Sequence, residues 1–317
     1  MNPSQLQEKI AAIKAEIGKI FIGQDELVQS TIAALFSGGH LLIEGVPGLG
    51  KTLLVRTLGR VLGCHFARIQ FTPDLMPSDI TGSHIYNQKE QKFYFYKGPV
   101  FTNLLLTDEI NRAPAKTHSA LLEIMQEKQV TIDNKLYRIE PPFFVLATQN
   151  PVESEGTYNL PEAQLDRFLL KVLIHYPELE EEGRILELHA SNQTIEPEQM
   201  LQPLLDSNSI IALQNEINEV RTDPSVLSYI NNLVRATRSR RDIYLGASPR
   251  GGIALLRTSR VMAVSEGRDF VIPDDVKALA LPALRHRIVL TPEAEVEGRS
   301  PDEVISEVIK SVEVPRS

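Results

Sequence analysis

Residues 45–52 read Gly45-Val46-Pro47-Gly48-Leu49-Gly50-Lys51-Thr52, the spacing G-x-x-x-x-G-K-T. The chemistry this string suits is the grip of a nucleoside triphosphate. Glycines let the backbone turn its N–H groups onto phosphate oxygens, a lysine meets the β- and γ-phosphates, and the next hydroxyl serves Mg²⁺. Lys51 and Thr52 fill the last two positions, and Leu53 is read with the loop as part of the ATP contact. A second signal is Asp108-Glu109, which closes the apolar run Leu104-Leu105-Leu106-Thr107. Carboxylates at the end of a buried strand lie where open α/β sheets bind ligands. There Asp108 holds Mg²⁺ through its water shell and Glu109 polarises the attacking water, which points to hydrolysis. Asn150 ends a further apolar run, Phe143 to Thr148, and can donate to a γ-phosphate or place the water. Arg167 stands between a short helix and a strand. Arg250 stands in the first turn of a helix capped by Ser248 and started by Pro249, where a cation opposes the helix dipole and invites an anionic partner. Taken alone, each arginine reads as a structural ion-pair partner.

The elements that must position these residues follow from periodicity. Leu41-Leu42-Ile43 before the loop is a short buried strand, and Leu54, Leu58 and Leu62 with Val55 and Val61 give the helix after it one apolar face. Strand, loop and helix put the phosphates at a helix N-terminus, where free N–H groups and the dipole favour an anion. Strand character recurs at 41–44, 66–71, 103–107, 143–148 and 169–174, with helical patterns at 4–20, 25–36, 52–62 and 115–128. The alternation predicts a three-layer αβα sandwich on a parallel sheet. Two hairpins interrupt it, Tyr86 to Tyr96 and Val130 to Ile139. Strand signals stop after Pro177. An acidic run (Glu178, Glu180, Glu181, Glu182) opens a remainder read as all-helical, with helices at 208–221, 225–240, 249–265, 273–281 and 301–312 and a loop over 191–206. The expected organisation is therefore a nucleotide-binding α/β domain with an N-terminal helix over 1–177, and a smaller helical lid over 178–317.

Composition sets outer bounds. The 317 residues are 42% apolar and 23% charged, ordinary for a globular chain with a sizeable core. A net charge of −8 argues against a protein built mainly to grip nucleic acid. Against that trend, 235–260 carries seven arginines (235, 238, 240, 241, 250, 257, 260) and the single acid Asp242, which reads as a solvated or subunit-facing surface. Cys64 is the only cysteine, so no internal disulfide forms and a reducing, cytoplasmic setting is expected. No apolar stretch approaches the ~20 residues of a membrane span, and the scattered histidines give no zinc pattern.

Longer motifs carry a resemblance. Phe71–Gly82, Lys97-Gly98-Pro99-Val100-Phe101, Asp108-Glu109-Ile110-Asn111-Arg112-Ala113-Pro114, Ala147-Thr148-Gln149-Asn150-Pro151, Leu160–Phe168 and Gly246–Arg250 together resemble the MoxR branch of the AAA+ ATPases, over about Phe21 to Leu290. The resemblance implies ATP and Mg²⁺ as cofactors. It makes Asn150 sensor 1, Arg250 a sensor 2 reaching the γ-phosphate from the lid, and Arg167 an arginine finger for the neighbouring subunit's ATP, with Arg112 near that interface. It sets Ile22 and Gly23 of Ile22-Gly23-Gln24 beside the adenine. It further implies a ring, usually of six subunits, and chaperone-like work on a protein client, often with a partner bearing a von Willebrand factor A-type domain. The hairpin at 86–96 resembles an insertion of this branch and, with 72–80, is expected at the central pore. Two rival readings remain at this point: a nucleic-acid motor, and a nucleotide-gated binding module with little turnover.

Overall fold

A computed structural model describes residues 3–46, 48–151, 158, 160–191 and 201–315. Its centre is a five-stranded, wholly parallel sheet in the order β2 (Phe66–Gln70), β5 (Leu104–Asp108), β8 (Phe144–Gln149), β1 (Leu41–Glu44), β9 (Leu170–Leu173). Side chains alternate across it. Leu41, Ile43, Leu104, Leu106, Phe144 and Leu146 enter one apolar core, while Leu42, Leu105, Val145 and Ala147 enter the other. Burial on both faces explains why these strands read as unbroken apolar runs.

Helices α1 (Pro3–Gly18), α2 (Asp25–Phe36) and α3 (Lys51–Val61) contribute to the first core, and α5 (Ala115–Glu127) to the second. The short α4 (Pro77–Thr81) leads into the hairpin β3 (Gly82–Asn87) and β4 (Lys92–Lys97). A second hairpin, β6 (Gln129–Ile132) and β7 (Lys135–Arg138), follows α5. The hairpins meet through aromatic rings: Phe95 lies 4.2 Å from Tyr137 and 5.7 Å from Phe101 between centroids. The outer part of the first hairpin leaves Ile85, Tyr86, Phe93, Tyr94 and Tyr96 exposed.

After the short α6 (Glu162–Leu165) and β9, the chain becomes helical: α7 (Leu179–Ser191), α8 (Ser207–Asn218), α9 (Pro224–Ser239), α10 (Pro249–Ser265), α11 (Pro273–Ala278), α12 (Ala280–Leu284), α13 (Pro292–Val296) and α14 (Pro301–Ser311). Glu180–Glu182, the acidic run, form the first turn of α7, where they complement the helix dipole. Two expectations need adjusting. The remainder also holds an antiparallel ribbon, β10 (Ile243–Leu245) with β11 (Val289–Leu290), too short to show a period in sequence. The helix expected over 273–281 divides after Ala278, because Pro282 cannot donate to that carbonyl and its ring crowds it. The loop expected over 191–206 falls largely on 192–200, outside the described residues. α10 packs on α1, α2, α8, α9, α11 and α12, so the apolar core on one sheet face runs on into the helical part. Among the described residues no helix is long and apolar enough to cross a membrane.

Candidate nucleotide site

Three strands deliver the chemistry to one edge of the sheet. β1 ends in the glycine loop, β5 in Asp108-Glu109 and β8 in Gln149-Asn150. Gly50 caps α3 with φ +73°, a left-handed conformation that favours glycine, and its N–H side opens the helix whose first residue is Lys51. Gly45 is needed for a different reason: a Cβ there would stand 2.3 Å from Cγ1 of Ile174. Lys51 Nζ donates to the Gly45 carbonyl at 2.6 Å, folding the charge over its own loop. Partial burial pushes the Lys51 pKa down, and Asp108, Glu109 and Glu44 push it back up. A phosphate would add to that negative charge and further favour the charged lysine. Val46, Gly48, Leu49, Thr52 and Leu53 lie at least partly open to solvent around Lys51; Pro47 lies outside the described residues.

The predicted adenine side also converges on this edge. Phe21 is buried, and a Cβ on Gly50 would lie only 3.2 Å from its ring. Ile22 and Gly23 are half-buried, and Gln24 Nε2 donates to the His175 carbonyl at 2.8 Å, tying the segment to the chain just after β9.

The acidic pair is held more elaborately than sequence indicated. Buried Thr148, on β8, accepts the Glu109 N–H at 2.9 Å and donates to Asp108 Oδ1 at 3.2 Å. Glu109 has φ +54° and ψ 50°, unusual for a side chain of its size, and Thr148 helps to keep it there. Its Oε2 accepts from Gln70 Nε2 at 2.7 Å and from Arg112 Nη1 at 2.8 Å, so the carboxylate rests against β2 and the turn at Ile110–Arg112. Asp108 Oδ2 accepts from Arg68 Nε at 2.7 Å. Thr148, Gln70 and Arg68 were not singled out from sequence. Their signal was position: Thr148 and Gln70 are polar groups at the ends of the strands flanking β5.

An Mg²⁺ ion fits the donor set. Thr52 offers a hydroxyl and Asp108 a carboxylate, hard oxygens in the small number that this ion takes from protein beside phosphates and water. The Arg68 guanidinium against Asp108 shows that this carboxylate already draws a cation. Asn150 is 6% exposed at the end of β8, on the same edge.

Arg167 and Arg250 do not belong to that edge. Both line a cleft of about 440 Å³ with Gly38, Gly39 and His40, the residues leading into β1. Arg167 precedes β9, parallel to β1, so the cleft opens at the N-terminal edge of both strands. About 13 Å of strand separates it from the glycine loop. For Arg167 this agrees with a role toward another chain. Arg250, expected to reach a γ-phosphate from the lid, lies at the start of α10 on that same N-terminal edge, away from its own chain's glycine loop. Arg257, two turns along α10, and Lys128, at the end of α5, line the same cleft, and Asp166 is the one acid among its lining residues. The basic stretch 235–260 does not act as one patch. Arg240 is spent on Asp242 and Glu307, and Arg238 on the Ala247 carbonyl, while Arg250 and Arg257 face the cleft.

A phosphate loop, an acid pair and a polar strand end on one edge of a parallel sheet, with a helical lid beyond, define a P-loop ATPase-type nucleotide fold. Residues 40–170 match the ATPase family associated with various cellular activities (AAA), and residues 235–308 match the AAA lid domain. The chain is 44% identical to Chaperone MoxR1 of Mycobacterium tuberculosis, over 95% of this chain and 81% of that protein. It is 47% identical to the YeaC protein of Bacillus subtilis, over 94% and 92%. A crystal structure of a candidate ATPase from Cytophaga hutchinsonii superposes with a TM-score of 0.92 at 44% identity, covering 99% of this chain and 97% of that one. The chain belongs to the MoxR family of AAA+ ATPases.

Proposed function

We propose that this protein hydrolyses MgATP at sites shared between adjacent copies of the chain and spends the energy on remodelling or activating a protein client. The observation that carries the shared site is the separation of Arg167 and Arg250 from Lys51 and Glu109 across the sheet. One chain presents its phosphate-binding loop at one edge and bare cations at the other, so copies joined head to tail complete each other. Such heterologous contacts make a ring where the rotation between copies closes; the ring, its six copies and a von Willebrand factor A-type partner rest on the family resemblance.

In this reading the loop amides and Lys51 bind the triphosphate, and Ile22 and Gly23 border the base. Thr52 and Asp108 would hold Mg²⁺, which supplies charge neutralisation on the β- and γ-oxygens when bound. Glu109 leaves Gln70 and Arg112 to polarise the attacking water, with Asn150 beside it. Arg167 and Arg250 of the adjoining copy meet the developing negative charge; an arginine so supplied is worth roughly 10³–10⁵ in rate. The lid, taken as 178–317, carries Arg250, so nucleotide state is felt between copies. The exposed aromatics of the first hairpin supply an apolar contact for a polypeptide client, with residues 72–80 nearby in the chain leading to it. A cytoplasmic setting accords with the lone, partly buried Cys64.

Glu109→Gln tests the hydrolytic assignment. It is expected to bind ATP as the parent does while releasing phosphate at under a hundredth of the parental rate. Parental turnover in that variant would remove Glu109 from the role.

A further inference from the structure

We propose that Asp166 and Arg287 are positioning residues that join Arg167 and Arg250 into one unit, so that both cations approach a neighbour's phosphates together. The proposal rests on the reading of Arg167 as the group completing that neighbouring site. Asp166 immediately precedes Arg167, and each of its carboxylate oxygens is committed to the helical part of the chain. Oδ1 accepts from Arg287 Nε at 2.7 Å, and Oδ2 accepts from Ser248 Oγ at 2.9 Å. Ser248 is the cap of α10, and its Oγ also accepts the N–H of Arg250 at 3.1 Å. A two-bond relay therefore runs from the residue before Arg167 to the backbone of Arg250.

Arg287 braces the relay from behind. Its side chain is 2% exposed and donates to the carbonyls of Phe168 at 2.6 Å and Leu169 at 3.0 Å, the two residues after Arg167. It also touches α10, since a Cβ on Gly251 would lie 3.3 Å from its Cδ. The flanking residues hold the same stretch, His286 on the Phe168 carbonyl at 3.1 Å and Arg285 on the Lys171 carbonyl at 3.3 Å. A buried guanidinium is a poor way to gain stability, because its desolvation offsets much of the attraction to Asp166. What this pair does supply is direction. Five donors in a fixed fork set the Asp166–Leu169 backbone against the first turn of α10. By contrast, the guanidinium of Arg167 makes no hydrogen bond or ion pair among the described residues, and it stays available for an anion.

The test uses the full chain and compares three variants, with Lys51→Ala and Arg167→Ala as companions. Asp166→Leu combined with Arg287→Met replaces the pair by apolar groups of similar size and leaves no unpaired buried charge; because it also takes the donor from the Phe168 and Leu169 carbonyls, a thermal melt confirms that it folds. Ser248→Ala cuts only the link to α10, and Ser300→Ala, which removes the cap of α14 elsewhere in the lid, controls for loss of a helix cap. Expected are unchanged affinity for a fluorescent ATP analogue in all three. Turnover at saturating ATP falls at least tenfold in the double variant and at least threefold in Ser248→Ala, and stays parental in Ser300→Ala. The double variant, mixed with Lys51→Ala, regains activity, since its own loop is intact and its neighbour's unit is whole. Parental turnover in either test variant, or a Ser300→Ala loss equal to that of Ser248→Ala, would overturn the proposal. So would weakened nucleotide binding in the folded double variant, which would mark the pair as merely structural. Should the double variant not fold, Ser248→Ala against Ser300→Ala decides. Arg167→Ala run alongside separates the layers: if it too keeps parental turnover, the reading of Arg167 fails as well.

Discussion

Thr148→Val removes one oxygen from the interior and should cost the enzyme more than its size indicates. Thr148 is 3% exposed, and its hydroxyl accepts the Glu109 N–H at 2.9 Å and donates to Asp108 Oδ1 at 3.2 Å. Without it a backbone N–H loses its partner, worth about 1–3 kcal/mol, and a carboxylate loses a donor, worth about 1.5–3 kcal/mol. Glu109 can recover part of this by leaving φ +54°, a left-handed conformation that itself costs about 1–2 kcal/mol. That escape swings the carboxylate out of the position from which, in the proposed function, it polarises the water. If about 2 kcal/mol of the loss falls on the transition state, turnover drops roughly 30-fold. Phosphate release at saturating ATP reads the effect, with a thermal melt and ATP-analogue affinity to show that the variant folds and binds. Thr148→Ser keeps the hydroxyl and should restore most of the rate. Folded Thr148→Val turning over within twofold of the parent would refute the reasoning, as would a serine variant as impaired as the valine.

Two further outcomes follow from the same structure. His40 is buried with its pKa lowered to about 4, chiefly by desolvation, with its Nδ1 accepting the Val145 N–H at 3.1 Å. Because the folded value lies below the unfolded one, the unfolded chain takes the proton first. Stability is complete above pH 6.5 and falls as pH drops toward 4, by about 3 kcal/mol from this residue. Buried His118 and His286 shift in the same direction, so urea midpoints should fall steeply between pH 6.5 and 4.5, and less steeply in His40→Gln; flat midpoints would contradict this. The second outcome concerns Arg250. If it and Arg167 serve the same neighbour, every interface in a mixture of Arg167→Ala and Arg250→Ala chains lacks one cation, and mixing rescues nothing; recovered phosphate release would return Arg250 to its own chain's site.

The edge that carries the candidate site was legible in sequence because each part sits where an apolar run stops. Leu104–Leu106 ends in Asp108-Glu109, and Phe143–Thr148 ends in Gln149-Asn150, so strand ends and chemistry coincide. Gln70 and Thr148 escaped notice because their importance lies in pairing across strands, Gln70 beside Asp108 and Thr148 reaching Glu109 from β8. Strand order is not written in local periodicity. The sheet edge at which Arg250 lies was not legible for a related reason. Ser248-Pro249-Arg250 correctly announces a helix start, but which edge of the sheet that start meets depends on Asp166, Arg287 and the packing of α10 against α1 and α2. The strands β10 and β11 are three and two residues long, below any length at which alternation can show.

The central claim is that ATP is hydrolysed between copies rather than within one. The most direct measurement is phosphate release by Lys51→Ala and Arg167→Ala chains, alone and mixed. Each alone should be inactive. With random head-to-tail assembly, one interface in four pairs an intact loop with an intact arginine, so an equal mixture should recover about a quarter of parental activity. Full activity of Arg167→Ala by itself, or no recovery at any ratio in mixtures shown to co-assemble, would contradict the account.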